Sequence, residues 1–324
     1  MKSFALTFSK AVIGLSISLV GHTSFAEENW PSKMIKIIVP LAPGGSLDAA
    51  ARILGEELSK EFKQPVIVEN KTGASGMIGA NTVAKAPADG YTVFMTISSI
   101  VQNDILHKDA PYRLTDLTPV AETMYNPIAF SIAINHPAKT LGEFVASAKQ
   151  SPGKYAFGSF GGGTTGHILG EQLARETGIV WNHIPYRGET PAVNDLLGGH
   201  IIAAFGTVGT HKQLHDTNKL RLIAVSGNKS KIAPDVPTFA EAGFPNLNTG
   251  GWTGVFVPAK TPKPIVDKLS QFFVKTVQRP EIASRLLKTG LEPTGRPHEE
   301  FSKIVARDRD VWAKLINDNQ IKVD

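Results

Sequence analysis

The amino-acid sequence predicts an α/β protein with parallel sheets, and three observations carry that prediction. Short β-branched runs alternate with helical stretches at the spacing of right-handed crossovers. Glycine-rich loops join the end of a strand to the start of a helix. This strand, loop and helix unit occurs twice, at residues 35–62 and 154–177, so each half of the chain has a comparable ligand-binding edge.

The chain opens with Lys2 and Lys10, an apolar run over residues 11–20, and Ser24-Phe25-Ala26. That order reads as a secretory signal peptide over residues 1–26, cleaved after Ala26. The apolar run is about half the ~20 residues a spanning helix needs. Without cysteine there is no lipid-attachment site and no disulfide framework. The expectation is a soluble periplasmic protein that is not a lipoprotein. The remainder, roughly 300 residues, is long enough for two domains. The formal charge of +5 includes both leader lysines, and no dense basic patch interleaved with aromatics occurs. Nucleic acid is therefore not an expected partner.

In the first unit Ile35, Ile37, Ile38 and Val39 form a buried strand, broken by Pro43, Gly44 and Gly45. Leu47, Ala51, Leu54, Leu58 and Phe62 then recur at helical spacing, with Ser46 expected at the N-cap and Asp48 in the first turn. Such a loop leaves free N–H groups around Ala42, Gly44, Gly45 and Ser46 at the positive end of a helix, where an anion binds; an ordinary strand-to-helix connection would look the same. Neither G-x-G-x-x-G nor G-x-x-x-x-G-K-[ST] is met, which argues against a nucleotide. A strand over 64–69, a loop over 70–76, a helix over 78–85 and a strand over 91–96 follow. Ser98 and Ser99 fall at the end of that strand, where they either face the same crevice or cap the next helix.

The second unit has a strand ending at Ser159, a loop offering Gly161, Gly162, Thr164 and Thr165, and a helix over 167–177 closed by Gly178. Two such edges facing each other would hold a carboxylate from both sides with neutral donors. His167, in the helix's first turn, either donates to a ligand or serves the turn itself, and the positive helix end lowers its proton affinity. Arg187 suits bidentate carboxylate binding but ranks below the loop amides. Thr207 and Ser226 also follow apolar strands. Beyond Pro264 the remainder reads as helical, with a last helix carrying Phe301, Val305, Val311, Trp312 and Leu315 on its apolar side.

Enzyme signatures are missing. The elbow G-x-S-x-G fails at Ser159, preceded two back by Phe157, and at Ser75, followed two on by Met77. His211 and His215 stand at i and i+4, but Lys212 occupies the place a metalloprotease gives to Glu, so the pair reads as a helix surface. Spacing alone does not identify a carboxylate pair for glycoside hydrolysis, and nothing in the sequence favours one.

Several long motifs carry a resemblance. They are Ile38-Val-Pro-Leu-Ala-Pro-Gly-Gly-Ser-Leu-Asp48, Pro65-Val-Ile-Val-Glu-Asn-Lys-Thr-Gly-Ala-Ser-Gly76, Asp89-Gly90-Tyr91-Thr92, Ile184-Pro-Tyr-Arg-Gly188, Asp195-Leu-Leu-Gly-Gly199 and Pro234-Asp-Val-Pro-Thr-Phe-Ala-Glu-Ala-Gly-Phe-Pro245. In this order they resemble the periplasmic solute-binding proteins of tripartite tricarboxylate transporters, the Bug family. The resemblance implies a two-lobed, type II-like periplasmic binding protein with a ligand cleft between the lobes. The hinge strands would lie within 127–135 and 251–258, with lobe one from 27–128 and 251–324 and lobe two from 129–250. It also implies a monomeric receptor, not an enzyme, that needs no cofactor or metal. Such a receptor captures a small carboxylic acid and delivers it to membrane permease subunits, or presents it to a signalling sensor. The strand-end loops, including those of Thr207 and Ser226, would line the pocket. Leu41 departs from the family, which usually has an aromatic there.

Overall fold

Two mixed β-sheets organise the fold. The computed structural model describes residues 30–321, and the signal peptide expected over 1–26 lies outside them. In the first sheet β1 (Ile35–Val39), β2 (Val66–Asn70) and β3 (Thr92–Ile97) run parallel, joined by α1 (Ser46–Phe62) and α2 (Met77–Ala84). Then α3 (Ser99–Leu106) leads to β4 (Leu117–Asn126), and past Pro127 the chain enters the second sheet as β5 (Ile128–Ala133). There α4 (Leu141–Lys149), β6 (Tyr155–Ser159), α5 (Thr165–Thr177), β7 (Trp181–Pro185) and α6 (Glu189–Gly198) precede β8 (Ala203–Thr207), α7 (Val208–Asp216) and β9 (Leu220–Val225). The chain returns as β10 (Gly251–Pro258) and ends with α8 (Lys263–Gln278), α9 (Pro280–Lys288), β11 (Glu292–Arg296) and α10 (His298–Asp318).

The strand orders are β11-β4-β10-β3-β1-β2 and β7-β6-β8-β5-β9. In each sheet the antiparallel strand within it has just crossed from the other: β10 between β3 and β4, and β5 between β8 and β9. Each sheet with its helices is one lobe, and the chain passes between the lobes twice.

Each lobe has its own aromatic core. In the second, Phe130 packs against Phe144, Phe205 and Phe239, with ring centroids 4.7 Å apart for Phe130 and Phe205. In the first, Trp252, Phe256 and Phe301 meet at 4.9 to 5.8 Å. A Cβ at Gly254 would lie 2.3 Å from the Phe301 ring, so this central strand needs a glycine where α10 packs on it. Beneath α10, the buried Glu122 is paired with Arg296 at 2.7 Å.

Four readings of the sequence are corrected. Ser46 is the first helical residue, because Gly45 holds the extended cap conformation (φ −81°, ψ 171°). The stretch beyond Pro264 is not all helical: residues 292–296 form β11, which gains its backbone partners from β4. Val311 is 40 % exposed rather than part of the apolar side of α10. His211 is not on a helix surface; it is fully buried, with Nδ1 2.8 Å from Ser131 Oγ.

Candidate functional site

Between the lobes lies a cavity of about 170 Å³. Its wall is built largely from the starts of helices. Gly45, Ser46 and Asp48 come from the start of α1 and Ser98 precedes α3, while Thr165 opens α5, Gly188 and Glu189 open α6, and Thr207 precedes α7.

The α1 and α5 ends repeat one another. In α1 the first helical hydrogen bond runs from Ala49 N to Gly45 O (3.0 Å), and in α5 from Ile168 N to Thr164 O (3.0 Å). The amides of Ser46 to Asp48 and of Thr165 to His167 therefore precede the first turn's bonds. Both helices place a hydroxyl residue first, Ser46 and Thr165, and both residues line the cavity. The Ser46 hydroxyl has no hydrogen-bond partner among the described residues, and Thr165 Oγ1 accepts from Gln102 Nε2 (3.1 Å) while lying 3.5 Å from Ser98 Oγ.

The α1 loop is held by Asp48. Its carboxylate accepts from Gly44 N (3.0 Å), Arg52 Nε (2.9 Å), Arg52 Nη2 (3.0 Å) and Asn70 Nδ2 (2.9 Å). Gly44 adopts φ +85°, which favours glycine, and its amide turns inward to that carboxylate. Burial opposes ionisation of Asp48, but the bonds from Arg52, Gly44 and Asn70 outweigh it and hold the carboxyl below its usual range. Asp48 thus shapes the loop and adds no unbalanced negative charge to the cavity.

The α5 loop is held from behind. Ser159 Oγ donates to Gly161 O (2.9 Å) and pairs with His183 Nε2 (2.8 Å), and Thr164 Oγ1 also donates to Gly161 O (2.7 Å). His167 Nδ1 accepts from Gly163 N (3.0 Å), and its ring stacks on His183 at 3.8 Å. Burial pushes His167 down to about 4, while burial and the neighbouring His167 push His183 down to about 3, so both rings are neutral at pH 7.

Of the residues singled out in the sequence, Ala42, Gly45, Ser46, Asp48, Ser98, Thr165, Arg187 and Thr207 come together around the cavity. Gly44, Ser159, Gly161, Gly162, Thr164 and His167 do not line it: Gly44, Gly161, Gly162 and Thr164 lie in the two loops, Ser159 ends β6 and His167 is in the first turn of α5. Ser99 is buried in the first turn of α3. Ser226 sits where the chain leaves the second sheet: its Oγ accepts from Ile128 N (2.9 Å) and its amide donates to Ile128 O (2.8 Å), tying the two crossings together. Wall residues that sequence reading did not single out include Glu189, Asn126 and Phe160. Glu189 follows a glycine at the start of a helix, a signal that was available. Asn126 ends β4, a strand whose Pro119 and Glu122 mask its pattern. Among the described residues no group of three or more His, Asp or Glu is placed to hold a metal.

The lobes touch across this cleft. Ser75 Oγ donates to Gly162 O (3.3 Å), from a turn in which Ala74 and Ser75 both hold left-handed φ (47° and 52°). Ser230 Oγ donates to Glu292 Oε1 (2.6 Å), and Gly209 of α7 lies directly against Gly290, beside the start of β11.

Two α/β lobes linked by two chain crossings, with helix starts converging on the cleft, define a solute-binding protein of the two-lobed periplasmic kind. Residues 50–321 match the model of the tripartite tricarboxylate transporter family receptor. The chain is 32% identical over 320 residues to the protein BugT of Bordetella pertussis, covering 97% of this chain and 98% of the relative. Among solved structures it is similar to R. palustris Rpa4515 with adipate (30% identity, TM-score 0.85, 90% of this chain and 99% of that one). It is also similar to MatC of Rhodopseudomonas palustris with bound malate (27% identity, TM-score 0.81, 89% and 100%). The chain belongs to the tripartite tricarboxylate transporter receptor family, a family of solute receptors and not of enzymes.

Proposed function

We propose that this protein is a periplasmic receptor that holds the carboxylate of a small organic acid between its lobes and hands it to the membrane subunits of a tripartite tricarboxylate-type transporter. One observation carries the reading: the open amides and first-residue hydroxyls of α1 and α5, one from each lobe, converge on a single cavity. Each helix start presents about half a positive charge, so the two together match one carboxylate. Adipate and malate in the two similar structures are acids of this kind. A ligand held by both lobes favours their closed arrangement, a population shift that membrane subunits could read, with the crossings at Pro127 and residues 226–250 as the hinge; the second precedes the 251–258 stretch expected from the sequence, because all of β10 is paired within the first sheet.

The test is thermal unfolding of the mature chain, refolded to strip carried-over ligand, against carboxylic acids and their amides. A ligand at 100 times its Kd adds about 2.7 kcal/mol, a rise of several degrees in Tm. Stabilisation by an acid but not by its amide supports the reading; amides that stabilise as well as acids refute it.

A further inference from the structure

The cavity wall at the starts of α6 and α7 carries a carboxylate, and this narrows the ligand class. Glu189, the first residue of α6, directs its carboxylate at the start of α7. It accepts from the Thr207 amide, from the Thr207 hydroxyl (2.9 Å) and from the Thr210 hydroxyl (3.2 Å). The donors that a second ligand carboxylate would need there are already used by the chain's own carboxylate. Among the described residues no arginine or lysine forms an ion pair with it, and the basic atom beside it, His211 Nε2 at 3.6 Å, belongs to a fully buried ring that burial keeps neutral, down to about 4. Burial likewise pushes the Glu189 carboxyl upward, against the Thr207 and Thr210 hydrogen bonds, as expected for an acid without a counter-ion.

The charges on the wall can be counted. Asp48, Arg187 and Glu189 are its charged residues. Asp48 is balanced by Arg52, and the exposed Arg187, which forms no ion pair with Glu189, equals it in number, so the side chains of the wall add no net charge; at the start of α7 the Thr207 amide is already taken by Glu189, and the open amides of α1 and α5 remain to attract an anion. The open amides suit one carboxylate, and the carboxylate of Glu189 repels a second placed beside it. A second observation agrees: Asn126, 92 % buried and lining the same cavity, donates through Nδ2 to Thr253 Oγ1 (2.9 Å) and leaves Oδ1, an acceptor, without a partner among the described residues.

Resting on the receptor reading above, we infer that the ligand is a monocarboxylate whose far end donates hydrogen bonds, a protonated amine being the best match, and that Glu189 excludes dicarboxylates. Glu189 is then the residue that sets specificity, while the α1 and α5 starts hold the common carboxylate.

The experiment measures, by calorimetry at pH 7.5, matched pairs of equal chain length: 4-aminobutyrate against succinate, 5-aminopentanoate against glutarate, and 6-aminohexanoate against adipate. For the pair that binds best, the amino acid should bind at least about tenfold more tightly than the diacid. Glu189→Gln should bring that ratio to about threefold or less, chiefly by strengthening the diacid. Glu189→Asp, which keeps the charge, should retain most of the preference. Equal or tighter binding of the diacid to the wild-type protein overturns the inference and leaves the receptor reading standing. An unchanged ratio in a folded Glu189→Gln protein also overturns it, and the wild-type ratio decides by itself if that variant does not fold. If no acid in any pair binds, the receptor reading fails and this inference with it.

Discussion

Replacing Gly209 with alanine tests whether the contact between lobes matters to binding apart from ligand chemistry. Gly209 lies in the first turn of α7 in the second lobe, and Gly290 stands beside β11 in the first. A Cβ on Gly209 would lie 2.1 Å from Gly290 Cα and 2.9 Å from its N, against backbone that no side-chain rotation can clear. Ordinary contact begins at 3.4 Å, so the lobes must part by more than an ångström locally. Overpacking of this kind costs about 1–3 kcal/mol. If the cost falls on the closed arrangement alone, affinity drops roughly 5- to 150-fold while ligand-free stability stays put. Calorimetric titration with the best-binding acid and denaturant unfolding of the ligand-free variant separate the two. Gly142→Ala in α4 is the control, since a Cβ there has nothing within 4 Å. Affinity within twofold of wild type, or an equal loss of stability without ligand, would refute a contact specific to closure.

Other consequences follow from the same geometry. Ser46→Pro should abolish binding yet leave the fold intact: the extended Gly45 tolerates a following proline, and losing a hydroxyl and an amide to a carboxylate removes about 3 kcal/mol or more, read by calorimetry. Arg296→Met leaves Glu122 buried without its cation and should cost roughly 3 kcal/mol in urea unfolding, with part recovered by adding Glu122→Gln. His167, His183 and His211 are held neutral, so the unfolded chain takes up protons near pH 6.5 that the folded chain refuses until pH 4 or below. Each should remove up to about 1.4 kcal/mol of stability per pH unit as pH falls from 6.5 towards 4. The direct check is NMR, in which these three imidazoles should not titrate between pH 7.5 and 5; a midpoint near 6.5 for any of them contradicts its burial.

What the sequence revealed was local. The Ile35–Val39 run, the glycine break and the spacing of Leu47, Leu54 and Leu58 lie within thirty residues of one another, and the structure follows them closely. The second unit was readable for the same reason, down to the αL cap at Gly178. What escaped depends on distant partners. Residues 292–296 have no strand pattern of their own and are drawn extended by β4, whose Glu122 is in turn tolerated because Arg296 lies opposite. His211 carries a surface-like i, i+4 signature, but Ser131, eighty residues earlier, receives its ring in the core. At the cavity the amide-bearing loops were legible and the wall at the starts of α6 and α7 was not, since only folding turns Glu189 onto Thr207 and Thr210.

The position of β10 bears on how the chain is made. It lies inside the first sheet, between β3 and β4, yet it is among the last strands to be synthesised. A nascent chain stopped at residue 250 already holds all five strands of the second sheet, while the first is split, with β3 and β4 each lacking the partner that joins them. Unpaired edges of this kind invite aggregation and proteolysis. The strands of the second sheet are therefore all present before those of the first, and a truncation before residue 251 leaves the N-terminal sheet, not the middle one, without its interior strand β10.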